Sequence, residues 1–270
     1  MTVEARYGVL LSIAYDGALF HGMARQANVR TVAGELQGAI AAMDGHATLL
    51  RNVSRTDAGV HAEQQFVAFD ASKLVSPRGW VLGLSKHVGR DIAITSAASV
   101  QVGFDPRNVA VSKTYRYRIY LSQLRDPFME RRAWRVGERL NHALMREEAA
   151  TLQGYHDFGA FRSIGDRRAD TRRHLTKISL EPDPSDDRVI WWVVEGEKFL
   201  MHMVRIIVGT LVDVGRGRLS PGTCGRALTS CRRSDLGMTA PPLGLYLQRV
   251  VLTEQGTDRW PRVDELPPVT

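Results

Sequence analysis

Thr48-Leu49-Leu50-Arg51-Asn52-Val53 runs into Ser54-Arg55-Thr56-Asp57-Ala58-Gly59-Val60-His61-Ala62, and that into Gln65-Phe66-Val67-Ala68-Phe69. Two apolar stretches enclosing a short polar one read as strand, turn, strand. Asp57 follows Arg55 closely, and a nearby cation keeps a carboxylate ionised at neutral pH. Gly59 lets the turn adopt backbone angles closed to other residues and lets a ligand approach the chain. An ionised carboxylate on such a turn suits a nucleophile or general base. An Asp-Gly turn carrying a surface ion pair has the same composition.

Outward from this stretch, the rest of the first half follows a strand and helix rhythm. Residues 7–14 alternate Tyr7, Val9, Leu11 and Ile13 with smaller neighbours, a period-two strand ended by Asp16-Gly17. Thr31 is placed to cap a helix carrying Val32, Leu36, Ile40 and Met43 on one stripe, with Gly45 as its stop. Ser76-Pro77 opens a second helix with Trp80, Leu84 and Val88 inward, and residues 91–102 read as a strand. This order predicts an α+β layer with helices on one side of a mainly antiparallel sheet. Gly103-Phe104-Asp105-Pro106 is the expected boundary, giving domains 1–103 and 104–270.

Beyond it, residues 111–121 form a strand with Tyr115, Tyr117 and Ile119 on one face and Thr114, Arg116 and Arg118 on the other. Asn141 caps a helix expected to end at Gly154. Residues 174–180 and 189–194 read as strands, the second apolar on both faces and therefore central. Helices are expected over 199–214 and 222–231, and a last strand over 244–252.

The 270 residues carry 36 basic and 29 acidic side chains, a net charge of +7 and a pI near 9.7. A basic excess fits a polyanionic partner. The two cysteines, Cys224 and Cys231, would stand two helical turns apart, roughly 10 Å, too far to bridge. Free thiols fit a reducing, cytoplasmic location. The first residues lack the apolar run of a signal peptide, and no run approaches the ~20 residues that cross a bilayer, so no membrane is expected. No P-loop, Rossmann glycine fingerprint or zinc-type cluster occurs, and Asp57 with His61 supplies too few ligands for a metal.

Arg55-Thr56-Asp57-Ala58-Gly59-Val60-His61 resembles the active-site motif of the TruA-type tRNA pseudouridine synthases. The likeness continues in order along the chain. It takes in Tyr15-Asp16-Gly17 with Phe20-His21-Gly22 and Arg25-Gln26, then Lys113-Thr114-Tyr115-Arg116-Tyr117. His156-Asp157-Phe158 with Phe161-Arg162, Met203-Val204-Arg205 with Ile207-Val208-Gly209, and Ala240-Pro241-Pro242 with Gly244-Leu245-Tyr246-Leu247 complete it.

The resemblance implies the pseudouridine synthase fold, with two sheet-plus-helix halves of mainly antiparallel strands flanking a central cleft. It implies isomerisation of uridine to pseudouridine, most typically in the tRNA anticodon arm, without a cofactor or metal, by a homodimer. Asp57 is then the catalytic carboxylate, attacking the sugar, attacking the base, or abstracting a sugar proton. Each role needs an ionised, dry, fixed carboxylate. Arg55 would hold Asp57 and contact phosphate as the base flips out. Tyr115 would stack on the uracil or relay a proton, and Arg205, in an apolar helix, would pair with Asp57. Leu245, Arg25, Gln26, His61 and Arg162 are the expected substrate contacts. Arg162 belongs to an arginine-rich stretch with Arg167, Arg168, Arg172 and Arg173, and a second stretch holds Arg125, Arg131, Arg132 and Arg135. Both suit phosphate tracking.

The chain departs from the family pattern at Met23-Ala24, at residues 85–90 and at Asn108-Val109-Ala110. These segments shape the RNA cleft in the family, so a free uridine nucleotide such as UMP is an alternative substrate. A non-catalytic RNA-binding module and a metal-dependent nuclease are the rivals from other classes.

Overall fold

A computed structural model describes residues 7–253. The stretch ahead of Tyr7, read above for a leader, lies outside them. The described residues form two compact units, 7–111 with 247–253, and Ser112–Tyr246. The elements are β1 (Tyr7–Tyr15), α1 (Val32–Asp44), β2 (Arg51–Asn52), β3 (His61–Ala71), α2 (Pro77–Leu84), β4 (Ile92–Val100), β5 (Ala110–Leu121) and β6 (Trp134–Val136). They continue with α3 (His142–Ala150), β7 (Gly154–Asp157), β8 (Arg172–Pro182), β9 (Val189–Gly196), α4 (Met203–Gly215), α5 (Thr223–Ser230) and β10 (Leu245–Leu252).

In the first unit the strand order is β4-β1-β3, with β2 on β3, all antiparallel. β1 is buried from Gly8 to Ile13 on both faces. Thr31 accepts the Gly34 amide and Ser76 the Gly79 amide, so both expected N-caps form. Gly45 closes α1 in the left-handed region at φ 88°. Val32, Leu36 and Ile40 are fully buried, and Trp80 of α2 meets Phe69 edge-on at 5.1 Å. The strand expected over 48–53 shrinks to Arg51–Asn52. The backbone and hydroxyl of Thr48 are engaged by Gln37 and Asp70 outside any ladder.

The join differs from the sequence expectation, for a visible reason. Arg51 grips Asp70 with two bonds of 2.9 and 2.7 Å, and its Nε donates to the Phe104 carbonyl at 2.7 Å. The Gly103 amide donates to Asp70 as well. The turn expected to separate domains is thus tied down inside the first unit. Its division from the second falls at Val111, and residues from Leu247 return to it.

The second unit orders its strands β5-β9-β8-β7, antiparallel throughout, with β6 parallel to β5. β9 is buried on both faces and lies between β5 and β8, as its composition predicts. α4 is buried along nearly its whole length. It starts at Met203 rather than Phe199, because His202 sits at φ 61°, outside the helical region. α3 stops at Ala150, and Gly154, at φ 106°, opens β7 instead of ending a helix. Cys224 is buried and Cys231 exposed, both free. Among the described residues no helix is long and apolar enough to cross a membrane.

Replacing Asp70 by alanine leaves Arg51 and the Gly103 amide without their acceptor. We expect a loss of about 2–3 kcal/mol of unfolding free energy, read as a lower urea midpoint at unchanged m-value. An unchanged midpoint would show that the Arg51–Asp70 tie is dispensable.

Candidate active site

The Asp57 turn is assembled by backbone contacts rather than by its own side chains. Asp57 and Val60 close a turn, carbonyl to amide at 3.2 Å, with Gly59 third at φ 80°. A type II turn requires a positive φ at that place. The turn is held by the loop after β1: the Gly59 amide donates to the Phe20 carbonyl and the Met23 amide to the Thr56 carbonyl, each at 3.1 Å. Contact is so close that a Cβ on Gly22 would stand 2.7 Å from the Thr56 oxygen, and one on Gly17 1.9 Å from the Val60 oxygen. That fit explains why the Tyr15–Gly22 and Arg55–His61 motifs occur together.

Polar side chains lock the same loops from below. The Tyr15 hydroxyl and Thr56 Oγ1 are 2.7 Å apart. Gln65, fully buried on β3, receives the Ser54 amide and donates to the Ser54 carbonyl at 2.7 Å. Phe20 lies under the Arg30 guanidinium at 4.2 Å, and Arg30 is itself paired with Glu35 and Asp91. Both partners hold Arg30 above the usual guanidinium range.

On this frame Asp57 is half-buried and Arg55 exposed. His61 is enclosed, with Nδ1 3.1 Å from the Gly17 amide and 3.1 Å from Asp16 Oδ1. Arg25 and Gln26 are exposed on the loop, Arg25 reaching Gln37 at 3.4 Å and Gln26 donating to the His21 carbonyl at 2.8 Å.

In the second unit one segment, Gly237–Gly244, organises the remaining residues. It lies along α4, where Thr210 and Asp213 accept the Gly237 and Met238 amides. A Cβ on Gly209 would meet the Met238 oxygen at 1.9 Å. Arg205, on the first turn of α4, donates from Nε to the Ala240 carbonyl at 2.8 Å, and Ala240 returns its amide to the Arg205 carbonyl. Arg205 therefore does not simply point to solvent; it is half-buried with its base fastened.

The Tyr117 hydroxyl donates to the Pro241 carbonyl at 2.7 Å, and Gly244 packs on its ring. Burial pushes the Tyr117 phenol well above its ordinary value, against a smaller pull from Arg205. Leu245 follows, buried at the start of β10. Tyr115, half-buried, meets the Phe199 ring edge-on at 4.9 Å. Arg162 is half-buried and donates to the Arg168 carbonyl at 2.7 Å.

Sequence reading missed Gln65, Thr56, Tyr117, Thr210 and Asp213 as supports. Gln65, Thr210 and Asp213 were marked only by their place in strand and helix patterns, and Thr56 and Tyr117 also by their place in motifs; neither signal reports partners.

Tyr117→Phe tests the segment's anchor. A raised phenol value means that stability tied to the protonated form is complete below about pH 10. It is lost as pH rises through the higher folded-state value. The variant should be weaker by about 1 kcal/mol at pH 9, where the Pro241 carbonyl loses its donor. Above pH 10 it should decline less steeply than wild type. Equal slopes in urea melts from pH 9 to 11 would refute the assignment.

A family model described as tRNA pseudouridine synthase matches residues 149–251. The tRNA pseudouridine synthase A of Geobacter sulfurreducens is 39% identical over 243 residues, 90% of this chain and 98% of that protein. Its namesake in Myxococcus xanthus is 35% identical over 93% and 94% of the two chains. That of Acetivibrio thermocellus is 36% identical over 90% and 98%. Among solved structures, one of a Cbf5–Nop10–Gar1 complex aligns over 92% of this chain and 59% of its own, at 10% identity and TM-score 0.32.

Proposed function

The chain belongs to the tRNA pseudouridine synthase family, and from that premise we propose that it isomerises uridine to pseudouridine in tRNA, in the anticodon arm. The observation carrying the proposal is the Asp57 turn. A half-buried carboxylate stands on a positive-φ glycine turn, clamped by a second loop, within a chain alignable to named synthases over 98% of their length.

The reaction breaks the bond between the sugar and N1 of uracil, turns the base, joins the sugar to C5, releases the C5 proton to water, and leaves N1 protonated from solvent in place of its bond to the sugar. Atoms and oxidation state balance, so no cofactor or metal is called for. Asp57 supplies the carboxylate that this exchange needs. Arg205 offers a guanidinium whose stem is already fixed, so little order remains to be imposed when it meets charge. Tyr115 presents a ring for a uracil freed from its stack, and Leu245 an apolar contact beside it. Arg55, Arg25 and Gln26, exposed on the two loops, are assigned to the RNA backbone, as is Arg162. His61 serves the substrate indirectly, by holding the Asp16–Gly17 turn. The reading further places the chain in the cytoplasm as a homodimer. Sedimentation of the purified chain at twice its 30.1 kDa mass supports the dimer, and sedimentation at the single mass refutes it.

The enzymatic test uses a tRNA transcript tritiated at uracil C5, in buffer with chelator. Wild type should release tritium, and Asp57→Asn should lower the rate by about a thousandfold or more while transcript binding stays within about threefold of wild type. Equal rates would remove Asp57 from the chemistry. Release that stops with chelator would point to a metal-dependent enzyme, and turnover of UMP without turnover of transcript would reassign the substrate.

A further inference from the structure

Cationic residues stand on each of the three segments that meet near the Tyr115–Phe199 ring pair. Lys113 stands two residues before Tyr115 on β5, on the same face, opposite Gly196 of β9. Lys198 immediately precedes Phe199. Arg168 donates from Nη1 to the Phe199 carbonyl at 2.8 Å, and Arg162 donates to the Arg168 carbonyl. Strand, β9–α4 turn and the 162–171 loop thus each bring a cationic residue to this part of the unit, near enough that Lys198 and Arg168 both act on Lys113.

Carboxylates do not answer all of that charge. Asp166, almost fully enclosed, pairs with Arg168 at 3.0 Å and also accepts the Arg168 and Met201 amides. Glu195 leaves β9 on the face away from Gly196's partner Lys113, and Glu197 lies 3.5 Å from His174. Among the described residues Lys113 and Lys198 have no ion pair. Lys113 is pushed down to about 8, first by burial and then by Lys198 and Arg168. Like charges crowded without counter-charge weaken a fold unless an anion arrives to share them.

We propose that Lys113, Lys198 and Arg168 form a phosphodiester subsite that grips the RNA strand next to the target uridine. The proposal rests on the reading of the chain as acting on tRNA, with Tyr115 facing the uracil. Arg168 has Nε and Nη1 engaged, leaving Nη2 for phosphate, and the lysines act as point charges with rotatable donors. An arriving phosphate favours the charged ammonium of Lys113, so binding takes up a proton above neutrality. Affinity therefore falls as pH rises through 8.

The test measures the Kd of a tRNA transcript for the full chain across salt and from pH 6.5 to 9. Lys113→Gln and Lys198→Gln should each raise Kd about three- to tenfold at 0.1 M salt and reduce the salt slope by about 0.7–0.9. Wild-type Kd should rise with pH through 8, and Lys113→Arg should flatten that rise, since its charge does not titrate there. Circular dichroism melts show that the variants are folded. Wild-type Kd and slope in both glutamine variants, with tritium release intact, would overturn the subsite and leave the isomerase reading standing. A wild-type Kd independent of pH would remove Lys113 from it. Absence of tritium release from wild type would sink the isomerase reading instead, while the salt slopes still decide the subsite.

Discussion

Two stretches of backbone, the loop after β1 and the turn at Asp57, approach closely enough that neither tolerates a Cβ at Gly17 or Gly22. Most of what positions Asp57 follows from that approach. Amide-to-carbonyl bonds between the loops fix their spacing, and such bonds hold geometry without depending on flexible side chains. Tyr15, Thr56 and Gln65 then fill the buried polar positions beneath, each satisfying a backbone or hydroxyl partner. A catalytic carboxylate loses much of its effect when displaced by an ångström. A rigid two-loop clamp is a physical answer to that demand.

The second unit solves the same problem with a different element. The Gly237–Gly244 segment is bonded to α4 through Thr210, Asp213 and Arg205, and to β5 through Tyr117. Arg205 is fastened at its base, its Nε donating to the Ala240 carbonyl. Tyr115 and Tyr117 share a strand face yet divide their work. Tyr117 is buried and bonded, whereas Tyr115 is half-exposed against Phe199.

Local signals were legible in the sequence. The Thr31, Ser76 and Asn141 caps form as read, because a cap depends on neighbours within one turn. The central place of β9 follows from its two apolar faces. What failed depended on distant partners or on unusual backbone. The domain join was hidden because Arg51 and Asp70 reach 103 and 104 across long chain separations, and no local pattern marks the return at Leu247. α4 begins late because His202 takes a left-handed conformation that its side chain does not announce. The two tyrosines of β5 are equivalent in pattern and separate only once packing is known.

The clamp is tested most directly at a residue that touches no substrate in this account. Gly22→Ala forces a Cβ to within 2.7 Å of the Thr56 oxygen at a residue whose φ of 92° disfavours alanine. Single-turnover tritium release from a saturating labelled transcript should slow at least about tenfold, while the Kd for the transcript changes by less than about threefold. A folded Gly22→Ala protein that releases tritium at the wild-type rate would show that the loop contact does not position Asp57.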